Sequence, residues 1–318
     1  MSAHACGRAK TCRSVESRTA LNALSLPGPS NHVWGARKVP FLTLRLALQM
    51  RYNDLHCSAR SALFGLPYPC SGPFPALSGS CPLCGGPRGS VGHIFGACTH
   101  PSLKALYIAR HNKAVCMLQA AVSAGSKGGM LCVMMDACRA SDLPDGILGT
   151  RLPSWLLPRS CLPTIMCPRT DQPLSPTVVR RKLRPDLLFV EGLNASDVQR
   201  SASVRRSLRG RCTVHVVEVG YVVESTASVE DRLRQKCEQH ADLCAALRRA
   251  GWQLHNDGPT VLLLGQAGAV FSAWADGLQG LGVSSTAADA LMRDLHLHSL
   301  RAATAINMRR LQLEGHPP

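Results

Sequence analysis

Leu42, Leu46, Met50 and Leu55 recur at the spacing of one helical face along residues 41–64, and a Pro- and Gly-rich stretch, GLPYPCSGPFPALSGS, then ends the pattern. SLKALYIARHNKAVCMLQAAVSAG predicts an amphipathic helix from about Ser102 to Ala124, with Pro101 near its first turn and Gly125 at its end. Residues 125–177 show no period and hold many of the chain's 21 prolines, which predicts an irregular linker. From Thr177 short apolar runs alternate with helical segments. LLFVEG (187–192) and TVHVVEVGYV (213–222) are rich in branched and aromatic residues and predict neighbouring strands, and TVLLLG predicts a buried one. Between the first two lies a polar insertion, LNASDVQRSASVRRSLRGR. A helix is predicted from Ser228 to Ala250, opened by Ser228 with Asp231 three residues on and closed by Gly251; further helices are predicted over 267–280 and 285–312. The order strand, strand, helix, strand, helix, helix is that of an α/β or α+β domain. The first forty residues mix Ser, Pro, Gly and Arg without period and are predicted to be disordered or badly packed.

Composition adds a partner class. With 318 residues, 45% of them apolar, the chain can bury the core of one large domain or two modest ones. Its 36 Lys and Arg against 20 Asp and Glu leave +16, a charge that favours polyanions, nucleic acid first. An arginine-favouring composition produces the same number, so local arrangement must decide. The N-terminal residues contain no apolar core of a signal peptide, and no apolar run is long enough to span a bilayer. An intracellular protein is therefore expected. Fifteen cysteines, an odd number with little regular spacing, fit a reducing compartment and a metal site better than a disulfide framework.

The regular spacing is in CPLCGGPRGSVGHIFGACTH, where Cys81-x2-Cys84-x8-His93-x4-Cys98 offers three thiolates and an imidazole, a full tetrahedral set for Zn²⁺. Gly85, Gly86, Gly89, Gly92 and Gly96 relax the backbone around it, and His100 is an alternative to His93 or a neighbour of the ligands. Cysteines idle in a loop are the competing reading.

A second constellation spans RRKLRPDLLFVEG, VHVVEVGY and DRLRQKCEQH. Asp186 at the mouth of one strand and Glu218 on the next can hold a divalent cation against a phosphate, and an ammonium nearby can stabilise the developing charge. The lysine usual two residues after the glutamate is absent, because Gly220 stands there. Lys236 replaces it from the following helix, flanking the apolar stripe Val229, Leu233, Cys237, Cys244 and Leu247, and is expected to lean toward the strand ends. A lysine restored at Gly220 is expected to rescue part of its function. Ordinary strand-end acids are the competing reading.

Together these residues resemble the C-terminal region of non-LTR retrotransposon polyproteins that carry a restriction-like endonuclease. The resemblance runs from about residue 45 to 313 over CPLCGG, GHIFGAC, Arg110-His111-Asn112, KLRPDLL, VHVVEVGY, the helix with Lys236 and His240, and LLLGQAG. It implies a small CCHC zinc knuckle followed by a PD-(D/E)XK core, a mixed sheet flanked by helices, with its lysine displaced to a helix. The segments are then a disordered stretch (1–40), a helical remnant with a Pro/Gly loop (41–80), the knuckle and following helix (81–124), a linker (125–177) and the nuclease domain (178–318). The implied activity is nicking of target DNA with structural Zn²⁺ and catalytic Mg²⁺, the latter on Asp186, Glu218 and the carbonyl of Val219. Lys236 stands at the scissile phosphate, with His240 one turn on as a second group for the water or phosphate, or as a satisfied helix histidine. Arg180, Arg181, Lys182 and Arg184 are assigned to the DNA backbone; Arg110 and His111 are assigned to nucleic acid and expected to approach the site, or to line a solvated helix face. DNA is the implied partner, with element RNA and a separate reverse transcriptase beside it; a nuclear location follows, and neither a membrane nor a small-molecule substrate is implied. The chain lacks the paired aspartates of a polymerase and resembles a C-terminal piece of such an element, and the arginine-rich insertion separates Asp186 from Glu218 by more than the family's usual spacing. The competing readings are a non-catalytic nucleic-acid-binding remnant and a globular protein with a structural zinc.

Overall fold

The computed structural model describes residues 25–36, 39–51, 55–74, 79–125, 129–137, 143–144, 147–199 and 207–316. Its centre is a five-stranded mixed sheet flanked by helices, an α/β arrangement. The strands are β1 (Met130–Met135), β2 (Leu187–Glu191), β3 (Thr213–Val222), β4 (Gln253–Leu254) and β5 (Thr260–Gly265). β1 and β3 run antiparallel to β2 on either side of it, and β3 pairs in parallel with β4 at its start and β5 at its end. The helices of six residues or more among the described residues are α1 (Phe41–Arg51), α2 (Ser58–Leu63), α3 (Pro101–Gly125), α4 (Pro176–Lys182), α5 (Thr226–Arg249), α6 (Ala273–Gly280) and α7 (Ser285–Leu313).

β3 reads VHVVEV because both its faces are covered, which removes the polar alternation of a half-exposed strand. Val217 and Val219 face a core with Leu118 and Val122 of α3, Trp274 of α6 and Leu295 of α7. Val214 and Val216 face the other core, with Leu243, Cys244 and Leu247 of α5. Successive side chains of a strand point to opposite faces, so Glu218 shares the α5 side with Val216. That parity decides which helix can reach it.

Several expectations are corrected. The segment predicted as an irregular linker contains β1, the sheet's edge strand, and Leu152, Leu156 and Leu157 further along it are buried in the α5-side core. Trp252 donates its indole N–H to the Leu156 carbonyl at 2.6 Å, which fixes this stretch to the sheet. β1 is Met- and Cys-rich, so its composition does not carry the usual strand signature. The stretch predicted as one helix over 41–64 is two, α1 and α2; Leu46, Met50 and Leu55 are buried as expected, whereas Leu42 is half-exposed. Helix α5 begins earlier than predicted, with Ser225 as its cap: Ser225 Oγ accepts from the Ser228 amide at 3.2 Å. Cys237, placed on its apolar stripe, is exposed. Residues 267–272 do not form helix, because Val270 and Phe271 fold back as isolated bridges to Leu264 and Ser25. The predicted disorder of residues 1–40 falls outside the described residues up to 24, and so do residues 200–206 of the arginine-rich insertion. Over residues 25–36 the chain is packed: the Leu26 amide donates to the Val270 carbonyl at 2.8 Å, and Val33 is buried against Leu300 of α7.

Helix α1, the cysteine loop and the facing ends of α3 and α7 share one apolar cluster, with Met50, Leu83, Phe95, Leu103, Ala303 and Ile306 inside it. No helix is long and apolar enough to cross a membrane among the described residues.

Candidate active site and metal centre

The Cys-Pro-Leu-Cys turn closes through the Gly85 amide, which donates to the Cys81 carbonyl at 2.9 Å, and the Cys81 amide, which donates to Gly86 O at 2.8 Å. Gly85 has φ +69°, a left-handed backbone that favours glycine, and a Cβ on Gly86 would stand 3.0 Å from the His93 ring and 3.3 Å from Cys84 Sγ. The ligand atoms of Cys81, Cys84, His93 and Cys98 all lie within 4.8 Å of one another. Tetrahedral zinc sets edges of about 3.8 Å between sulfurs and about 3.5 Å between sulfur and nitrogen. Cys81 Sγ and Cys98 Sγ are 3.9 Å apart, and Cys84 Sγ and His93 Nε2 are 3.3 Å apart. The cluster can therefore hold a metal ion such as zinc. His93, not His100, supplies the imidazole; His100 Nδ1 is buried without a hydrogen-bond partner. The Cys98 thiol, against the opposing effect of burial and together with His93, holds Cys81 down to about 3, and its bond to Cys81 raises His93 in return. A thiolate poised beside an imidazole is a donor set ready to exchange its protons for a cation.

The second cluster lies where β2 begins beside β3. The Asp136 amide donates to the Asp186 carbonyl at 2.9 Å, which ties the end of β1 to the start of β2 and fixes Asp186. Asp186 Oδ2 accepts from the Val219 amide at 2.7 Å, and the Asp186 amide donates to Glu218 Oε2 at 3.2 Å. From α5, Lys236 Nζ pairs with Glu218 Oε1 and His240 Nε2 lies 2.9 Å from Glu218 Oε2. From α3, His111 Nε2 lies 3.1 Å from Asp186 Oδ2 and 3.2 Å from the Val219 carbonyl. Glu218 thus gathers Lys236, His240 and the Asp186 amide, while the Asp186 carboxylate beside it faces His111 and the Val219 amide. Burial pushes the Glu218 carboxyl up, but the bond to His240 and the charge of Lys236 outweigh it and hold the group below its usual 4.5. Burial likewise pushes His111 down, and Asp186 more than reverses it.

Lys236 reaches Glu218 because one face of α5 lies over the even-numbered residues of β3. At position 220 a Cβ would stand 2.8 Å from Leu263 Cδ2, so that leucine, in a core with Val222, Val229 and Phe271, must shift to admit a side chain.

The basic residues divide. Arg181 and Lys182 are exposed on α4, whereas Arg180 donates to the carbonyls of Leu152 and Leu157, and Arg184 pairs with Asp136. Arg110, assigned to nucleic acid or a solvated helix face, is 3% exposed and can serve neither role. His111, expected to approach the site, faces Asp186 and the Val219 carbonyl. Asp136 was not singled out in the sequence, because it lies in the stretch without periodic pattern. No protein-family model matches the chain, and no curated protein is similar to it at a significant level.

Proposed function

We propose that the chain is a DNA endonuclease-like module of the restriction-like class found in non-LTR retrotransposons, nicking DNA by metal-dependent phosphodiester hydrolysis. The observation that carries this reading is Glu218 on β3, which holds Lys236 from the following helix and the backbone amide of Asp186 at the mouth of the adjacent strand. Support also comes from Asp186 Oδ2 and the Val219 carbonyl, which both approach a single atom, His111 Nε2, as two ligands of one cation would. Carboxylate and carbonyl oxygens are the hard donors that suit Mg²⁺. Held there by Asp186, Glu218 and Val219 O, Mg²⁺ would supply Lewis-acid stabilisation of the phosphate and a more acidic water. Lys236 carries the positive charge for the scissile phosphate, and His240 can take or hand on a proton at Nε2 once it is free of Glu218. Arg181 and Lys182 supply sequence-independent backbone contacts, as the +16 charge leads one to expect of a DNA partner. In this reading the Cys81–Cys98 cluster is a zinc knuckle. Element RNA, a separate reverse transcriptase and a nuclear location belong to the same proposal.

A second reading, a non-catalytic nucleic-acid-binding remnant, is favoured by one feature. Lys236, His240 and the Asp186 amide occupy both oxygens of Glu218, so the carboxylate must change partners before it can ligate a cation.

The experiment is plasmid nicking with Mg²⁺ or Mn²⁺. Asp186→Ala is expected to abolish nicking and leave DNA affinity nearly intact, because the carboxylate places the metal and the basic residues supply the affinity. A wild-type chain that binds DNA and nicks none of it, or an Asp186→Ala variant that cuts like wild type, replaces the endonuclease with the remnant.

A further inference from the structure

Arg110 is a guanidinium buried to 3% exposure, and no carboxylate pairs with it among the described residues. Its Nη2 donates to the Phe95 carbonyl at 2.8 Å, while Nε and Nη1 are buried without a hydrogen-bond partner. The rest of the group lies over the Tyr221 ring, 3.9 Å from its centroid. Burial pulls the guanidinium down from its usual value, the mark of a cation held where only a carbonyl and ring faces compensate it. Such an arrangement is costly to keep for packing alone.

Its partners sit at two different sites. Phe95 belongs to the helical turn His93–Ala97 that delivers the metal ligand His93, and Tyr107 on the same side of α3 donates its hydroxyl to the neighbouring Ile94 carbonyl. Tyr221 lies on β3, three residues beyond Glu218 and two beyond Val219. The next residue of α3, His111, turns about 100° further round the helix and contacts Asp186 and the Val219 carbonyl. Two successive side chains of one helix therefore hold the metal turn, the strand bearing Glu218, and Asp186.

We propose that Arg110 is a positioning residue that carries the order of the Cys3His turn to the Asp186–Glu218 cluster, so that the two metal sites work as one unit and the turn is more than an independent grip on nucleic acid. Arg110 itself touches no substrate. The cleavage arm of the test rests on the endonuclease reading; the metal-binding arm needs only that the carboxylate cluster take a divalent cation.

The test uses the full chain loaded with zinc and Mn²⁺ as the probe of the carboxylate site, followed by electron paramagnetic resonance of free Mn²⁺. Arg110→Met keeps the length of the side chain and removes the fork. It is expected to retain one zinc and wild-type DNA affinity, to bind Mn²⁺ about 10–100-fold more weakly, and to lose kcat with KM unchanged. Arg110→Lys, which can reach the Phe95 carbonyl or the ring but not span both, is expected to recover only part of the Mn²⁺ affinity. Cys84→Ser is expected to weaken Mn²⁺ binding in wild type but to add little in the Arg110→Met background, because both changes cut one connection. Should Arg110→Met fail to fold, Tyr221→Leu removes the ring, keeps the Phe95 bond and must show the same Mn²⁺ loss. Unchanged Mn²⁺ affinity in Arg110→Met or in that substitute overturns the proposal, and so does a fall in DNA affinity without a fall in Mn²⁺ affinity. A wild-type chain that binds Mn²⁺ and never nicks removes the endonuclease reading and leaves the positioning role to be judged on Mn²⁺ affinity; a wild-type chain that binds no Mn²⁺ removes both.

Discussion

Lys236→Met isolates the ion pair at the centre of the candidate site. Lys236 and Glu218 are both buried, at 9% and 3% exposure, and the methionine keeps most of the lysine stem's packing while deleting its charge. Removing one partner of a buried pair costs about 3–5 kcal/mol, because the other charge is left without compensation. Here His240 Nε2 at 2.9 Å and the Asp186 amide at 3.2 Å stay on the carboxylate, which places the expected loss at the lower end, about 3 kcal/mol. With a urea m-value of about 3 kcal/mol/M the unfolding midpoint falls by about 1 M. Glu218→Gln alone is also destabilising, but in the pair Lys236→Met/Glu218→Gln neither charge is stranded, and the double variant should be more stable than the sum of the singles by roughly 1–3 kcal/mol. Acid unfolding reads the same interaction. The folded Glu218 carboxyl gives up its proton more readily than the unfolded one, so its stabilisation is complete above 4.5 and is lost as pH falls through the lower folded value. Lys236→Met should flatten that acid-side loss. Urea titrations of the four proteins at pH 7 and below pH 4.5 measure both effects. Additive losses in the cycle, with the acid-side profile unchanged, refute the claim that this pair organises the site.

The other predictions concern single features. Cys84→Ser is expected to remove the zinc and speed hydrogen exchange over residues 81–100, measured by metal analysis and mass spectrometry; native protein without stoichiometric zinc contradicts the tetrahedral fit. Gly220→Lys in a Lys236→Ala background is expected to cost about 1–3 kcal/mol of stability, because Leu263 must shift from a Cβ that stands 2.8 Å from its Cδ2; urea unfolding measures the cost, and an unchanged midpoint shows that the leucine yields freely. His215, buried at 1% exposure and stacked on His255 at 4.5 Å, is pushed below 6.5 by burial and then by the His255 charge, with Glu191 opposing. The unfolded chain then binds more protons there, so stability should fall as pH drops below 6.5; a His215→Phe protein with the same slope assigns that loss elsewhere.

Local chemistry determined much of this protein in the sequence itself. The spacing of Cys81, Cys84, His93 and Cys98 needed only a tight turn and a short helical turn to become a four-ligand cluster, because all four lie within eighteen residues of chain. β2, β3, β5 and α3 were legible because branched runs and a helical apolar period are local signals. Asp186, Glu218 and Lys236 could be named as candidates from their types and from the strands and helix that carry them. Tertiary structure decided what residue type leaves open. β1 became a strand through its pairing with β2, not through its composition. Arg180 and Arg184, which read in the sequence like any surface cations, were turned inward by the carbonyls of Leu152 and Leu157 and by Asp136, partners 23, 28 and 48 residues away. Arg110 and His111 adjoin in sequence and read together as approaching the site, yet the helix sends only His111 to Asp186 and turns Arg110 to Phe95 and Tyr221. A spacing rule sees neighbours along the chain, whereas the charge and burial of a side chain depend on what the fold sets beside it.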